Sequence, residues 1–151
     1  GGFTGKWRGQ KGNFHEGGIR VPAIISYPGK LPKGEVRDQA ITAMDWFPTV
    51  TELCGVKPKA SHPKLDGSSL GPIISSAEAP SPNEVMHWQW HTGWAIRKGD
   101  WKLIGRGTKA SFLGNLNDAR PERKNYRDEK IDLVRELTEL HRTWAEEVKP
   151  K

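Results

Sequence analysis

Across residues 84–106 apolar and polar positions alternate, with Val85, Trp88, Trp90, Trp94, Ala95, Ile96, Trp101, Leu103 and Ile104 carrying the apolar side. A period near two is that of strands, and Lys98-Gly99-Asp100 between two such runs marks a hairpin. The pattern predicts strands over 85–90, 94–98 and 101–105 in a small antiparallel sheet. Further on the period changes. Leu133, Val134, Leu137, Leu140, Trp144 and Val148 recur at three and four residues, which predicts a helix over 128–149 with one apolar stripe. Asp128 and Glu129 suit its start and Pro150 its end. This helix is expected to dock on the sheet.

The first half is less periodic. Residues 21–27 form a nearly continuous apolar run, which predicts a buried strand of an α/β sheet, with Pro22 near its start where a missing donor is tolerated. A proline- and glycine-rich turn follows over 28–34, and residues 41–43 are a second short strand or lead-in. Met44, Phe47, Val50 and Leu53 have the spacing of a packed helical face. Thr42 or Asp45 caps that helix, Pro48 is acceptable in its first turn, and Gly55 ends it. Residues 56–84 contain Pro58, Pro63, Pro72, Pro80 and Pro82 and form a winding connection. It is anchored over 65–74 by a tight turn at Asp66-Gly67, and His62 is expected at the surface. Residues 1–20 are a glycine-rich loop.

Composition sharpens this picture. Only 34% of the 151 residues are hydrophobic, low for a self-sufficient domain and consistent with a core completed by neighbours. No apolar run is long enough to span a bilayer, so no membrane partner is expected. The single cysteine excludes an internal disulfide framework, and Cys54 is expected to be a small buried apolar residue. The net charge of +6 is concentrated early: Lys6, Arg8, Lys11, Arg20, Lys30, Lys33 and Arg37 face only Glu16 and Glu35 in residues 1–37. That balance suits an anionic substrate or partner. No nucleic-acid fold signature or basic helix accompanies it, so nucleic acid is not expected. Small residues in the opening loop let backbone approach a ligand, and its cations suit an anion, although turn glycines on a solvated surface would have the same composition. The loop is not a phosphate-binding Walker motif, because Gly5-Lys6 is followed by Trp7. His87 and His91 lie about 13 Å apart on a strand and cannot share one ion. The tryptophans of this region serve as a sugar platform or as core, and core filling is expected of Trp101.

Lys11-Gly12-Asn13-Phe14-His15-Glu16-Gly17-Gly18-Ile19-Arg20-Val21-Pro22 resembles the segment that closes the active site of type I, formylglycine-dependent sulfatases (arylsulfatases) of the alkaline phosphatase superfamily. Tyr27-Pro28-Gly29-Lys30-Leu31, Met44-Asp45-Trp46-Phe47-Pro48-Thr49-Val50, Leu65-Asp66-Gly67-Ser68-Ser69-Leu70 and Ala95-Ile96-Arg97-Lys98-Gly99-Asp100-Trp101-Lys102-Leu103-Ile104 resemble later family motifs, in the family's order. Phe112-Leu113-Gly114-Asn115-Leu116-Asn117-Asp118-Ala119-Arg120-Pro121-Glu122 resembles the family's late strand and polar turn.

The resemblance implies the C-terminal part of an alkaline-phosphatase-like α/β sulfatase fold. Residues 1–75 would end the catalytic α/β domain, and residues 76–151 would form a C-terminal subdomain of antiparallel sheet plus long helix. It implies that Lys11 contacts the substrate sulfate. Glu16 and Arg20 pair to hold the loop, which Gly17 and Gly18 help to shape, and His15 is a candidate substrate contact whose alternative, the favoured one, is an ordinary polar neighbour in the same loop. His87 and His91 are candidates for the rim of the substrate cleft. The family's nucleophile is a formylglycine made within Cys/Ser-x-Pro-x-Arg, and a divalent cation, usually calcium, polarises the sulfate. Cys54 precedes Gly55-Val56, and no serine has the required followers. Formylglycine, Ca2+ and the metal ligands are therefore expected outside this chain, which would begin just after the last of those ligands. The reading is the C-terminal segment of a sulfate ester hydrolase, inactive alone. Its partners are a sulfated small molecule or carbohydrate and the N-terminal portion of the same enzyme, in a periplasmic, secreted or lysosomal setting. The alternatives are a non-catalytic binder of sulfated or anionic glycans, and a related phosphodiesterase or phosphonate hydrolase.

Overall fold

The computed structural model describes residues 2–57, 59, 61 and 63–149. The expectations placed on Pro58, His62 and Pro150 fall outside them. In chain order the helices are α1 (Glu16–Ile19), a 3-10 turn (Ala43–Asp45), α2 (Trp46–Leu53), α3 (Gly71–Ser75) and α4 (Ile131–Glu147). The strands are β1 (Val85–Trp90), β2 (Gly93–Lys98), β3 (Trp101–Arg106) and β4 (Lys109–Asn115). The chain divides into two compact units, Gly1–Pro22 with Val85–Lys151, and Ala23–Glu84.

In the first unit the four strands form an antiparallel meander in the order β1-β2-β3-β4. Trp90 pairs with Gly93, Lys98 with Trp101 and Arg106 with Lys109, so each hairpin loop holds two residues. The first residue of each loop has positive φ: His91 at 53°, Gly99 at 56° and Gly107 at 56°. That conformation matches the twist of the flanking strands, and it costs His91 more than the glycines. Ile96 lies opposite Leu103, and Leu103 opposite Leu113, so the three share one face with Trp94. Leu137 of α4 completes this core. Gly105 lies at a register shift between β3 and β4, and a Cβ there would strike the Trp94 ring. The glycine is what lets the indole lie flat on the strand while its Nε1 donates to the Gly107 carbonyl at 2.8 Å.

The small antiparallel sheet packed by a long C-terminal helix is as the alternation and the 3.6 period require. The helix starts later than expected, at Ile131, which leaves Asp128 and Glu129 in the preceding turn and Asp132 in the first turn. Its buried line also differs. Leu140 and Val148 are exposed, whereas Leu137 and His141 are buried.

In the second unit, two of the motifs bind each other. The Asp45 carboxylate accepts from the Thr42 and Ser68 backbone N–H groups at 2.7 and 2.9 Å and from Asn83 Nδ2 at 2.8 Å. Burial pushes its carboxyl up, but those bonds outweigh burial and hold it below the usual carboxylate value. Thr49 Oγ1 accepts from the Leu70 N–H at 2.9 Å and donates to the Asp45 carbonyl at 2.6 Å. Gly67 approaches the Met44 carbonyl so closely that a Cβ would clash. The Asp-Gly-x-Ser run is therefore a tether onto the start of α2. At the other end, Gly55 with φ 69° donates to Glu52 O and Val56 to Thr51 O, which closes α2 in a Schellman arrangement.

Two expectations for this half are corrected. Residues 21–27 form no strand, and Val21 and Ile24 are 79% and 92% exposed. Residues 41–43, expected as a short strand or a lead-in, are the lead-in: they run into the 3-10 turn that begins at Ala43. A strand needs a ladder partner, and no described segment pairs with these residues. Likewise Met44, Phe47 and Val50, read as a packed face, are exposed, and α2 buries Thr49 instead.

Candidate functional site

The sheet face opposite the core carries Lys102, fully buried in the middle of β3. On an alternating strand Trp101 and Leu103 turn to the helix side, so Lys102 turns to the other. It needs counter-charges there, because an unpaired buried ammonium is costly. The opening loop and the turn after β4 supply them. Lys102 Nζ lies 2.8 Å from Glu16 Oε1 and 3.4 Å from Glu122 Oε1. Arg97, facing Lys102 across the β2–β3 ladder, is 3.7 Å from Glu16 Oε2, and Arg20 is 3.9 Å from the same oxygen. Glu16 and Arg20 are thus near each other, but the short contact of Glu16 is with Lys102.

Glu122 joins the two ends of the loop. Its Oε2 accepts the Glu16 N–H at 2.7 Å, and its carbonyl accepts from Arg8 Nη1 at 2.9 Å. Its φ is 56°, unusual for a non-glycine residue. The Gly17 N–H donates to the Arg8 carbonyl at 2.7 Å, closing the same base. A Cβ on Gly17 would meet the Arg8 and Gly9 carbonyls at 2.7 Å, and one on Gly18 would strike the Asn13 carbonyl. The Gly17-Gly18 pair is required by this close approach, not by positive φ. Arg8 also lies over Phe112 at 4.9 Å, and Arg20 over Trp7 at 4.2 Å.

Lys11 stands exposed between these two ends. His15 does not extend beside it into solvent. Its side chain is mostly buried, edge-on to Phe112 at 5.1 Å, with Nδ1 3.4 Å from Glu122 Oε1. That is an ion-pair distance without hydrogen-bond alignment; neither atom has a hydrogen-bond partner among the described residues, and Glu122 Oε1 keeps its ion pair with Lys102. Burial pushes the Glu122 carboxyl up, but the nearby His15 ring, the Lys102 ammonium and the Glu16 N–H outweigh it and hold the carboxyl below its usual value.

His87 lies on the helix side of the sheet, opposite Ile96. It stacks on Trp144 at 4.7 Å and places Nδ1 3.3 Å from His141 Nδ1, and His141 stacks on Trp94 at 4.7 Å. It also lines a groove with Glu136, Glu139, Leu140, Thr143, Trp144 and Glu147. Burial, then the neighbouring His141, lowers the His87 pKa to about 4, and burial lowers that of His141. Between pH 6.5 and 4 the unfolded chain therefore binds protons that the folded chain does not. Stability is full above about pH 6.5 and falls as pH drops through that window. After allowance for solvent at a half-buried ring, the expected loss is about 1–2 kcal/mol, and His87→Phe should remove most of it. Urea unfolding at pH 7 and pH 4.5 checks this. Both proteins share the carboxylates of the groove, so the difference between them isolates the His87 ring.

His91 is exposed in the β1–β2 loop beside Trp90, away from His87 along the strand. Cys54 is exposed at the end of α2, not buried as its residue type suggests. Among the described residues no group of three or more His, Cys, Asp or Glu side chains can hold a metal ion. Cys54 lacks the sequence around a formylglycine precursor. No described helix is long and apolar enough to cross a membrane.

Sequence reasoning singled out Lys11, Glu16 and the glycines but missed Lys102, Glu122 and His141. The first had a signal, a lysine at an inward position between Trp101 and Leu103. His141 had one too, four residues after Leu137 on the apolar stripe. Glu122 closes the Phe112–Glu122 run that resembles the family's late strand and polar turn, but that run alone gives it no role.

Residues 6–139 match the family described as N-sulphoglucosamine sulphohydrolase, C-terminal. Over 87 residues the chain is 44% identical to human arylsulfatase D, which covers 57% of this chain and 14% of that protein. Mouse steryl-sulfatase is 36% identical over 107 residues, covering 65% and 17%. An uncharacterized sulfatase of Schizosaccharomyces pombe is 31% identical over 149 residues, covering 90% and 26%. The chain thus spans between 14% and 26% of the length of these relatives. Among solved structures, Ps i-CgsB in complex with k-i-k-neocarrahexaose superposes with a TM-score of 0.74 at 23% identity, over 91% of this chain and 31% of that one. A second structure of Ps i-CgsB gives 0.70 over 86% and 30%. At that identity the likeness speaks for the fold alone.

Proposed function

The chain belongs to the C-terminal family of N-sulphoglucosamine sulphohydrolase, and on that premise we propose that it is the segment through which a sulfate ester hydrolase presents Lys11 to the sulfate of its substrate. The observation that carries this reading is an exposed Lys11 on a loop whose base is held by buried charge. Holding the base of the loop restricts where the Lys11 backbone can be, so less of its position has to be ordered at each turnover. In this reading the Lys11 ammonium donates to sulfate oxygens and offsets the charge that grows on them as the ester bond breaks. Lys6, Arg8 and Arg20 add a positive surround that attracts the anion.

The nucleophile and divalent cation belong to the remainder of the enzyme. These 151 residues are therefore expected to show no turnover by themselves. The exposed apolar side chains Val21, Ile24, Met44, Phe47 and Val50 suit burial against that remainder. The substrate class is a sulfated small molecule or carbohydrate. The oligosaccharide held by Ps i-CgsB supports the carbohydrate side. An exported or lysosomal location follows from the same family reading.

The test is Lys11→Ala in the sulfatase that carries this segment, assayed on 4-methylumbelliferyl sulfate. A fall in kcat of about 10²–10³ is expected, the scale for loss of one group aimed at developing charge. Unfolding should be unaffected, since the side chain is exposed and makes no described contact. Unchanged kcat would overturn the assignment of Lys11, and turnover that co-purifies with the 151-residue chain and is lost in Lys11→Ala would overturn the expectation that these residues are inactive by themselves.

A further inference from the structure

Lys11 lies between two anchor points that are both made by one residue far away in the chain. Arg8, three residues before it, donates to the Glu122 carbonyl, and Glu16, five residues after it, donates its N–H to the Glu122 carboxylate. The Gly17 N–H to Arg8 carbonyl bond joins the same two ends directly. Glu122 is itself fully buried, and its carboxylate is held against Lys102, which also holds Glu16. Its backbone has φ 56°, a conformation that costs a glutamate and is tolerated only where surrounding contacts enforce it. A turn residue with no task beyond chain reversal would be glycine or asparagine. Here the backbone strain directs a carbonyl to Arg8 and a carboxylate to Glu16.

We propose that Glu122 is a positioning residue for Lys11, clasping the two ends of the 8–17 loop from outside it, with Lys102 as the buried counter-charge that sets the clasp on the sheet. This rests on the reading of Lys11 given above. Glu122 itself has no contact with substrate. It acts by restricting where the Lys11 backbone can be, so its removal should matter only while Lys11 is present.

The informative variant is Glu122→Gly. It deletes the carboxylate but suits the positive φ, so the turn keeps its conformation. In the 151-residue chain, amide hydrogen exchange should be faster by about 10–30-fold at Glu16 and Gly17, the loss of one charge-assisted bond. The amides of the β2–β3 ladder should keep their protection. No change at the loop base, or an equal change throughout the sheet, overturns the clasp.

The second arm is a double-mutant cycle in the sulfatase that carries the segment, again on 4-methylumbelliferyl sulfate. Glu122→Gly should lower kcat by about 30-fold when Lys11 is present and by less than about 3-fold in the Lys11→Ala background, the non-additivity of residues acting as one unit. Equal factors in both backgrounds would mean general damage and overturn positioning. Turnover indifferent to Lys11→Ala would overturn the role of Lys11, and positioning with it. The exchange data would still decide whether the clasp exists.

Discussion

Replacing Lys102 with methionine lowers the unfolding free energy of the sheet-bearing unit by about 3–5 kcal/mol, the cost of breaking a buried ion pair by removing one partner. Methionine has nearly the length of the lysine stem, so side-chain volume is largely kept, and the change removes the charge together with its place over the Trp88 ring. What remains is a pair of buried carboxylates, Glu16 and Glu122, that have lost their common cation. Arg97 at 3.7 Å reaches Glu16 but has no ion pair with Glu122. The unit then loses stability as pH rises, since protonating one carboxylate relieves the conflict. Urea unfolding at pH 7 and pH 5 measures both effects. Lys124→Met is the control. Lys124 pairs with Glu129 at 2.9 Å, but both side chains are more than half exposed, and its removal should leave the midpoint unchanged. If the two variants unfold alike, the buried network does not hold this face of the sheet.

Leu137→Ala should cost about 2–5 kcal/mol, the range for a large-to-small change at a fully buried position. Leu137 has no exposed surface and packs with Trp94, Ile96, Leu103 and Leu113. The loss should lie near the upper end, because its neighbours sit on a hydrogen-bonded sheet that cannot collapse into the cavity. Leu140→Ala, one position off the buried line, should cost much less, since Leu140 is 36% exposed. The pair distinguishes the observed docking of α4 from the wider stripe that the spacing alone suggests. Similar losses for the two would place the contact line elsewhere.

The two groups of candidate residues have different histories. Lys11, Glu16, Gly17 and Gly18 form one contiguous run, so a local resemblance could mark them all. The partners that hold this run in place are 86 residues away for Lys102 and 106 for Glu122. A sequence shows such partners only as a lysine in an unusual strand position or a glutamate in a polar turn. His87 was legible as a histidine on a strand. That it faces His141 and stacks on Trp144 depends on how α4 lies across the sheet. The apolar run over 21–27 was misjudged for a related reason. Hydrophobicity says that a segment suits burial, but a strand also needs a neighbour with free backbone groups.

The sequence by itself determined what depends on neighbours within a few residues. These are the hairpin at Lys98-Gly99-Asp100, the alternation that puts Ile96 and Leu103 on one face, the helical period of α4 and a capped helix start at Thr42 or Asp45. Each follows from steric and hydrogen-bonding rules that act over one or two turns of chain. Only the tertiary structure decided which buried charge meets which: that Lys102 joins Glu16 to Glu122, and that Glu122 reaches both Arg8 and Glu16. Ion pairing and close packing depend on distance in space, and strand register together with helix docking sets that distance.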